Sequence, residues 1–204
     1  NVMGIDYQSD FSDPLIKAKL GAVTELVAIA STATTIDLSW SAVENATGYM
    51  IYRSPAGKDD YTLINTTPYP AYTDSGLSAA TAYKYKVCAY VFSREFTGGF
   101  SPVLDTSTSP KKPTLKTKAG ENKARLTWKT VTGASYYDIY MGNGDGGYEL
   151  LATINGNSGG TYLVENLQTD ESYRFYIIAV RLYKGVAYPS ERSDIEVVFI
   201  EELQ

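Results

Sequence analysis

Residues 34–53 read TTIDLSWSAVENATGYMIYR, and residues 122–141 read NKARLTWKTVTGASYYDIYM. The two stretches are one statement made twice. Trp40 maps to Trp128 at an offset of 88, and Tyr49, Ile51 and Tyr52 map to Tyr137, Ile139 and Tyr140 at the same offset. A second pair lies further on, where YTDSGLSAATAYKYKVCAY (72–90) meets TYLVENLQTDESYRFYIIAV (161–180). Here Tyr72, Leu77, Tyr83 and Ala89 map to Tyr162, Leu167, Tyr173 and Ala179, each 90 apart. A period this long exceeds the roughly 20–50 residues of a solenoid unit and describes a whole domain.

Within each copy the hydrophobic period is two. Ile36, Leu38 and Trp40 alternate with Thr35, Asp37 and Ser39, and Ala124, Leu126 and Trp128 alternate with Lys123, Arg125 and Thr127. Tyr83, Tyr85, Val87 and Ala89 form one face of a segment whose other face is Lys84, Lys86, Cys88 and Tyr90. Such alternation describes strands with one face in a core and one face out. Turn signals punctuate them: Glu44–Gly48, Ser54–Gly57, Asp74–Gly76 and Thr97–Gly99 in the first copy, and Thr132-Gly133, Gly142–Gly147 and Asn155-Gly156 in the second. No stretch has a convincing helical period. The fold class is therefore all-β, two sandwiches of about 100 residues each. The segment DTSTSPKKPTL (105–115) reads as a short Pro-containing linker, semi-rigid because proline restricts the backbone. The expected domains are 21–108 and 109–204. Residues 1–20 stand apart.

These motifs resemble the fibronectin type III domain, twice over. The resemblance rests on Trp40 and Trp128, on GYMIYR (48–53) and SYYDIY (135–140), and on Leu77 with Tyr83 and Leu167 with Tyr173. It implies that Tyr83 and Tyr173 form corners whose hydroxyls bond back to nearby backbone. It also implies immunoglobulin-like sandwiches without disulfides, in keeping with the single Cys88. In residues 1–20, FSDPLI (11–16) is similar to FSPVL (100–104), and each Phe precedes the next Trp by nearly the same distance. Residues 1–20 thus read as the last strand of an upstream repeat. The alternatives are a strand added to a sheet edge, with self-association through it, and a disordered leader.

Composition excludes several chemistries. The 204 residues contain no His, which removes Ser-His-Asp and Cys-His catalysis and most zinc sites. The net charge of −5 and the absence of a basic run argue against nucleic acid. No apolar stretch reaches 18 residues, so no membrane span is expected, and the given residues open on no charged-then-apolar leader. Cys88 sits mid-strand on an outward position and reads as structural. Gly142–Gly147 fails as a calcium loop, because the twelfth position from Asn143 is Ile154 instead of Glu. It reads as a hairpin. No cofactor or metal is expected, and the chain does not read as an enzyme.

The surface to watch is aromatic. Met50, Tyr52, Cys88 and Tyr90 fall on the outer face of the first copy, and Tyr140, Tyr176, Ile178 and Val180 on that of the second. Such faces serve as interfaces or sugar-stacking platforms, or their tyrosines simply pair across strands. The loops at 92–100, with Phe96, and 181–188, with Tyr183, are further candidates. The resemblance implies an extracellular, cell-surface or secreted module that spaces, adheres or scaffolds within a larger protein. Its partners would be other domains of that protein, or a surface protein or polysaccharide. YTDSGL and YKYKVCAY resemble modules of secreted bacterial surface proteins and of carbohydrate-degrading enzymes. That keeps open an accessory carbohydrate-binding role in a glycosidase, and beside it a structural subunit of a filament or virion.

Overall fold

The computed structural model describes residues 20–91 and 96–202, and the reading of residues 1–19 lies outside the described residues. Sixteen strands run along the described chain. The first eight are β1 (Val27–Ser31), β2 (Thr35–Ser39), β3 (Gly48–Pro55), β4 (Thr62–Thr67), β5 (Ala71–Ser75), β6 (Ala82–Val91), β7 (Phe96–Phe100) and β8 (Leu104–Ser107). The second eight are β9 (Leu115–Gly120), β10 (Lys123–Trp128), β11 (Tyr136–Gly142), β12 (Tyr148–Asn155), β13 (Gly160–Val164), β14 (Glu171–Tyr183), β15 (Val186–Pro189) and β16 (Glu196–Ile200).

They pair into two sandwiches of the same topology. In the first, a sheet of order β1-β2-β5 faces one of order β4-β3-β6-β7, with β8 also on β6. In the second, β9-β10-β13 faces β12-β11-β14-β15, with β16 also on β14. The last strand of each copy is thus broken in two, and serines bridge the break. The Ser101 and Ser193 hydroxyls accept from the amides of Val87 and Ile177, at 3.1 and 3.0 Å. In this way buried amides opposite the gap keep a partner.

Each sandwich has its own core. Trp40, Tyr49, Ile51, Tyr85, Val87 and Ala89 meet inside the first, and Trp128, Tyr137, Ile139, Phe175, Ile177 and Ala179 inside the second. Both indoles are buried, at 5% and 6% exposure. The core tyrosines do double duty. Tyr49 and Tyr137 accept hydrogen bonds from the amides of Val43 and Val131, each six residues upstream. The corner hydroxyls of Tyr83 and Tyr173 accept from Ser78 and Gln168, each five residues upstream. The offsets of 88 and 90 seen in the sequence therefore recur bond by bond.

One difference between the copies is instructive. In the first, Arg53 reaches the carboxylate of Asp74 at 2.8 and 3.0 Å, and the fully buried Tyr85 donates to the same carboxylate at 2.7 Å. Asp74 itself is 3% exposed. Burial works against the Arg53 charge, but the bond to Asp74 and its negative charge outweigh that and raise its pKa. Burial first, then donation to Asp74, pushes the Tyr85 phenol up. At the matching offsets the second copy carries Met141, Val164 and Phe175. An ionic network spanning the two sheets in one copy is a hydrophobic contact in the other.

Two details correct the sequence reading. Gly98 and Gly99 lie within β7 instead of making a turn. A Cβ on Gly98 would come within 2.3 Å of the Gly21 carbonyl oxygen, so the glycine is there to let residues 20–22 cross β7 closely. Residues 181–188 are not a loop either. β14 and β15 pair through Tyr183↔Val186 around a tight turn in which Lys184 and Gly185 both take positive φ.

The paired copies set up a test. Asp74→Ala leaves Arg53 and Tyr85 facing an empty site and is expected to cost about 3–5 kcal/mol in urea denaturation. The triple change Arg53→Met, Asp74→Val, Tyr85→Phe copies the second core and is expected to stay within about 1 kcal/mol of the parent. A triple variant as unstable as the single one would contradict the equivalence of the two cores.

Candidate functional site

The aromatic outer faces belong to the larger sheet of each sandwich. On β3, Tyr49 and Ile51 point inward, which turns Met50 and Tyr52 outward, and the register sets Met50 opposite Cys88 and Gly48 opposite Tyr90. The face is more enclosed than alternation suggests. Met50 is 6% exposed and Cys88 only 2%. Burial pushes the Cys88 thiol up, with Lys86 opposing, and so leaves it a weak nucleophile. Tyr90 folds its ring over Gly48, where a Cβ would lie 2.6 Å from the ring. Tyr52 meets Phe100 edge to face at 5.4 Å. The Lys86 ammonium sits 4.3 Å from the ring centres of both Phe100 and Tyr61 and 5.9 Å from that of Tyr52. This aromatic box is thus occupied by the protein's own cation.

The second sandwich arranges its rings differently. Tyr140 and Tyr176 are directly opposed on β11 and β14 and stack at 4.8 Å and 17°. Tyr148 from β12 leans on Tyr176 at 4.8 Å, and the Arg192 guanidinium lies 5.4 Å from the Tyr176 ring centre. Burial raises the phenol pKa of Tyr140 and of Tyr176. Val180, expected outward, is 3% exposed.

The remaining candidates stand elsewhere. Phe96 is 39% exposed at the start of β7. Tyr183 joins neither face, because its hydroxyl donates to Asp105 of β8 at 2.8 Å, across the junction between the sandwiches. Lys184 forms an ion pair with the other oxygen of Asp105. The sequence thus picked out Tyr52, Tyr90, Tyr140 and Tyr176; the structure brings only Tyr140 and Tyr176 together, lays Tyr90 over Gly48, and adds Phe100, Tyr61 and Lys86 around Tyr52 and Tyr148 and Arg192 around Tyr176. Those neighbours come from other strands, and only register reveals them. Among the described residues no group of three or more His, Cys, Asp or Glu could hold a metal, and no helix is long and apolar enough to cross a membrane.

No family model matches the chain. Among solved structures it is similar to the FN1–FN3 domains of chicken CNTN1, with a TM-score of 0.50 and 16% identity over 91% of this chain and 69% of that one. It is similar also to a two-domain fibronectin type III segment of chicken tenascin, with a TM-score of 0.50 and 19% identity over 86% of this chain and 98% of that one. The fold is therefore that of fibronectin type III domains in tandem. By sequence the chain is similar to an alpha-amylase of Niallia circulans, 34% identical over 136 residues, which are 62% of this chain and 10% of the amylase. It is 31% identical over 121 residues to a poly(3-hydroxybutyrate) depolymerase of Ralstonia pickettii, covering 59% of this chain and 20% of that protein. Exoglucanase B of Cellulomonas fimi is 28% identical over 136 residues, 58% of this chain and 12% of the exoglucanase. The chain thus spans a fifth or less of the length of these relatives.

The Tyr140–Tyr176 stack gives a direct measurement. A double-mutant cycle with Tyr140→Ala and Tyr176→Ala, read by chemical denaturation, is expected to give a coupling of about 0.5–1.5 kcal/mol. Strictly additive losses would mean that the stack adds nothing beyond burial.

Proposed function

We propose that the chain is a non-catalytic tandem module that holds other parts of a larger extracellular protein at a fixed distance and angle. The division near residues 108 and 109 is part of this reading. The observation that carries it is the junction. Thr106 of β8 and Tyr188 of β15 share a buried hydrogen bond at 3.2 Å. Asp105 takes Tyr183 and Lys184 from the β14–β15 hairpin. Ala80 and Gly133 touch so closely that a Cβ on the glycine would lie 2.3 Å from the Ala80 Cβ. The linker itself is tied down, with Ser109 donating to Thr32 at 2.9 Å and accepting from Ala80 at 2.9 Å. Free beads on a string need none of these bonds, and each one costs ordering entropy that only a preferred geometry repays.

The relatives support the setting. All three are named as polymer-degrading enzymes, and each matches only over a small part of its length. A segment shared by an amylase, a polyester depolymerase and an exoglucanase is more readily an accessory piece than the centre of three different hydrolyses. The same setting supports an extracellular placement.

The reading is tested by residual dipolar couplings in the 204-residue protein. The two sandwiches are expected to report one shared alignment tensor. Independent tensors in the parent protein would end the rigid-spacer reading. Asp105→Asn with Tyr183→Phe is expected to separate the tensors while each sandwich keeps its fold.

A pH dependence follows from the same carboxylate. Burial alone would raise the Asp105 pKa, but the bonds from Lys184 and Tyr183 outweigh it and hold the carboxyl below its ordinary 3.8. A carboxyl depressed in the folded state contributes stability above its unfolded pKa and loses that contribution as the pH falls through the folded value. The couplings are therefore expected to report one tensor from pH 5 to 7 and to diverge only in acid below about pH 4. A junction equally rigid in acid would remove Asp105 from the account.

A further inference from the structure

The outer face of the second sandwich has a gap in its alternation. Tyr136, Asp138 and Tyr140 take successive outward positions on β11, and the next is Gly142. Neither strain nor crowding requires a glycine there. Its φ is not in the left-handed region. A Cβ would sit 3.4 Å from Arg174 Cβ and 3.8 Å from Tyr148 Cε1, both ordinary contacts. Glycine inside a strand weakens it, and such positions commonly mark where something approaches the backbone closely.

The missing side chain leaves a notch of about 300 Å³, at the small end of ligand-site sizes. Tyr148 and Arg174 line it, with Glu171, Ser172 and the backbone of the 144–147 turn. Tyr148 is buttressed by Tyr176, which is itself stacked on Tyr140, so this aromatic side chain is held in place. No hydrogen bond or ion pair joins the side chain of Arg174 or of Glu171 to another described residue.

We propose that this notch binds one pyranose ring of a neutral glucan chain. The Tyr148 ring supplies an apolar surface for the C–H face of a sugar. Arg174 offers N–H donors and Glu171 offers acceptors, which together suit the alternating hydroxyls of the ring. One positive and one negative group leave the notch without net charge. That disfavours a phosphate or a uronate, which clustered cations would bind. An open site for a single ring binds weakly, with a Kd on the order of 1 mM. The Tyr140–Tyr176 pair then serves as the support of the site, and the contacting ring is Tyr148. The inference stands independently of the rigid junction.

The test is a titration of the isotope-labelled 204-residue protein with maltohexaose and, separately, cellohexaose, each to about 10 mM, followed by amide shifts. At least one sugar is expected to move the amides of residues 142–148 and 171–174, and which one does so separates α- from β-linked glucan. Gly142→Val fills the notch without removing a polar or aromatic group and is expected to weaken binding at least tenfold. Arg174→Leu, at an exposed strand position, is expected to do the same and serves if the glycine variant does not fold. The proposal is overturned if neither sugar shifts these amides, if the shifts lie elsewhere, or if they persist undiminished in the folded variants.

Discussion

Everything in this molecule depends on the inward faces of facing sheets leaving water together. A lone three-stranded sheet such as β1-β2-β5 or β9-β10-β13 has an apolar face and nothing of its own to bury it against. Against the larger sheet it encloses Trp40 with Tyr49 and Tyr85, or Trp128 with Tyr137 and Phe175. An aromatic side chain of this size buries about 150–250 Å², worth about 4–6 kcal/mol before the entropy cost of ordering it. The tyrosine hydroxyls convert that burial into loop geometry. Because the ring is fixed in the core, its oxygen becomes a fixed acceptor for an amide five or six residues upstream.

The two copies solve the same packing problem with different chemistry. Arg53, Asp74 and Tyr85 bridge the sheets of the first through a buried carboxylate, while Met141, Val164 and Phe175 fill the same place in the second. A buried ion pair contributes little net stability once desolvation is counted, so the apolar version is no weaker. The ionic version permits fewer alternative arrangements, since each partner has a fixed bonding geometry. The outer faces diverge in the same way. The first encloses its own lysine among rings, and the second leaves rings and unpaired polar groups around a missing side chain.

The junction is where the tandem becomes more than two repeats. The β14–β15 hairpin reaches back to β8, and its tip carries both groups that bind Asp105.

The sequence by itself determined the number of sandwiches, most of the strands and the core. A period of two and a repeat of 88 to 90 residues are local properties, and burial acts on them residue by residue. Trp40 and Trp128 were legible for that reason, while the corner roles of Tyr83 and Tyr173 came from the resemblance to fibronectin type III domains. What the tertiary structure alone decided is which side chains on different strands meet. Lys86 among Tyr52, Tyr61 and Phe100, Tyr148 on Tyr176, and Asp105 beneath Tyr183 all depend on strand register or on how one sandwich sits on the next. Cys88 and Val180 show the same limit from the other side: alternation turned them outward, and neighbours that no local pattern reveals covered them. Periodicity says which way a side chain points, while its company is set by contacts distant in the chain.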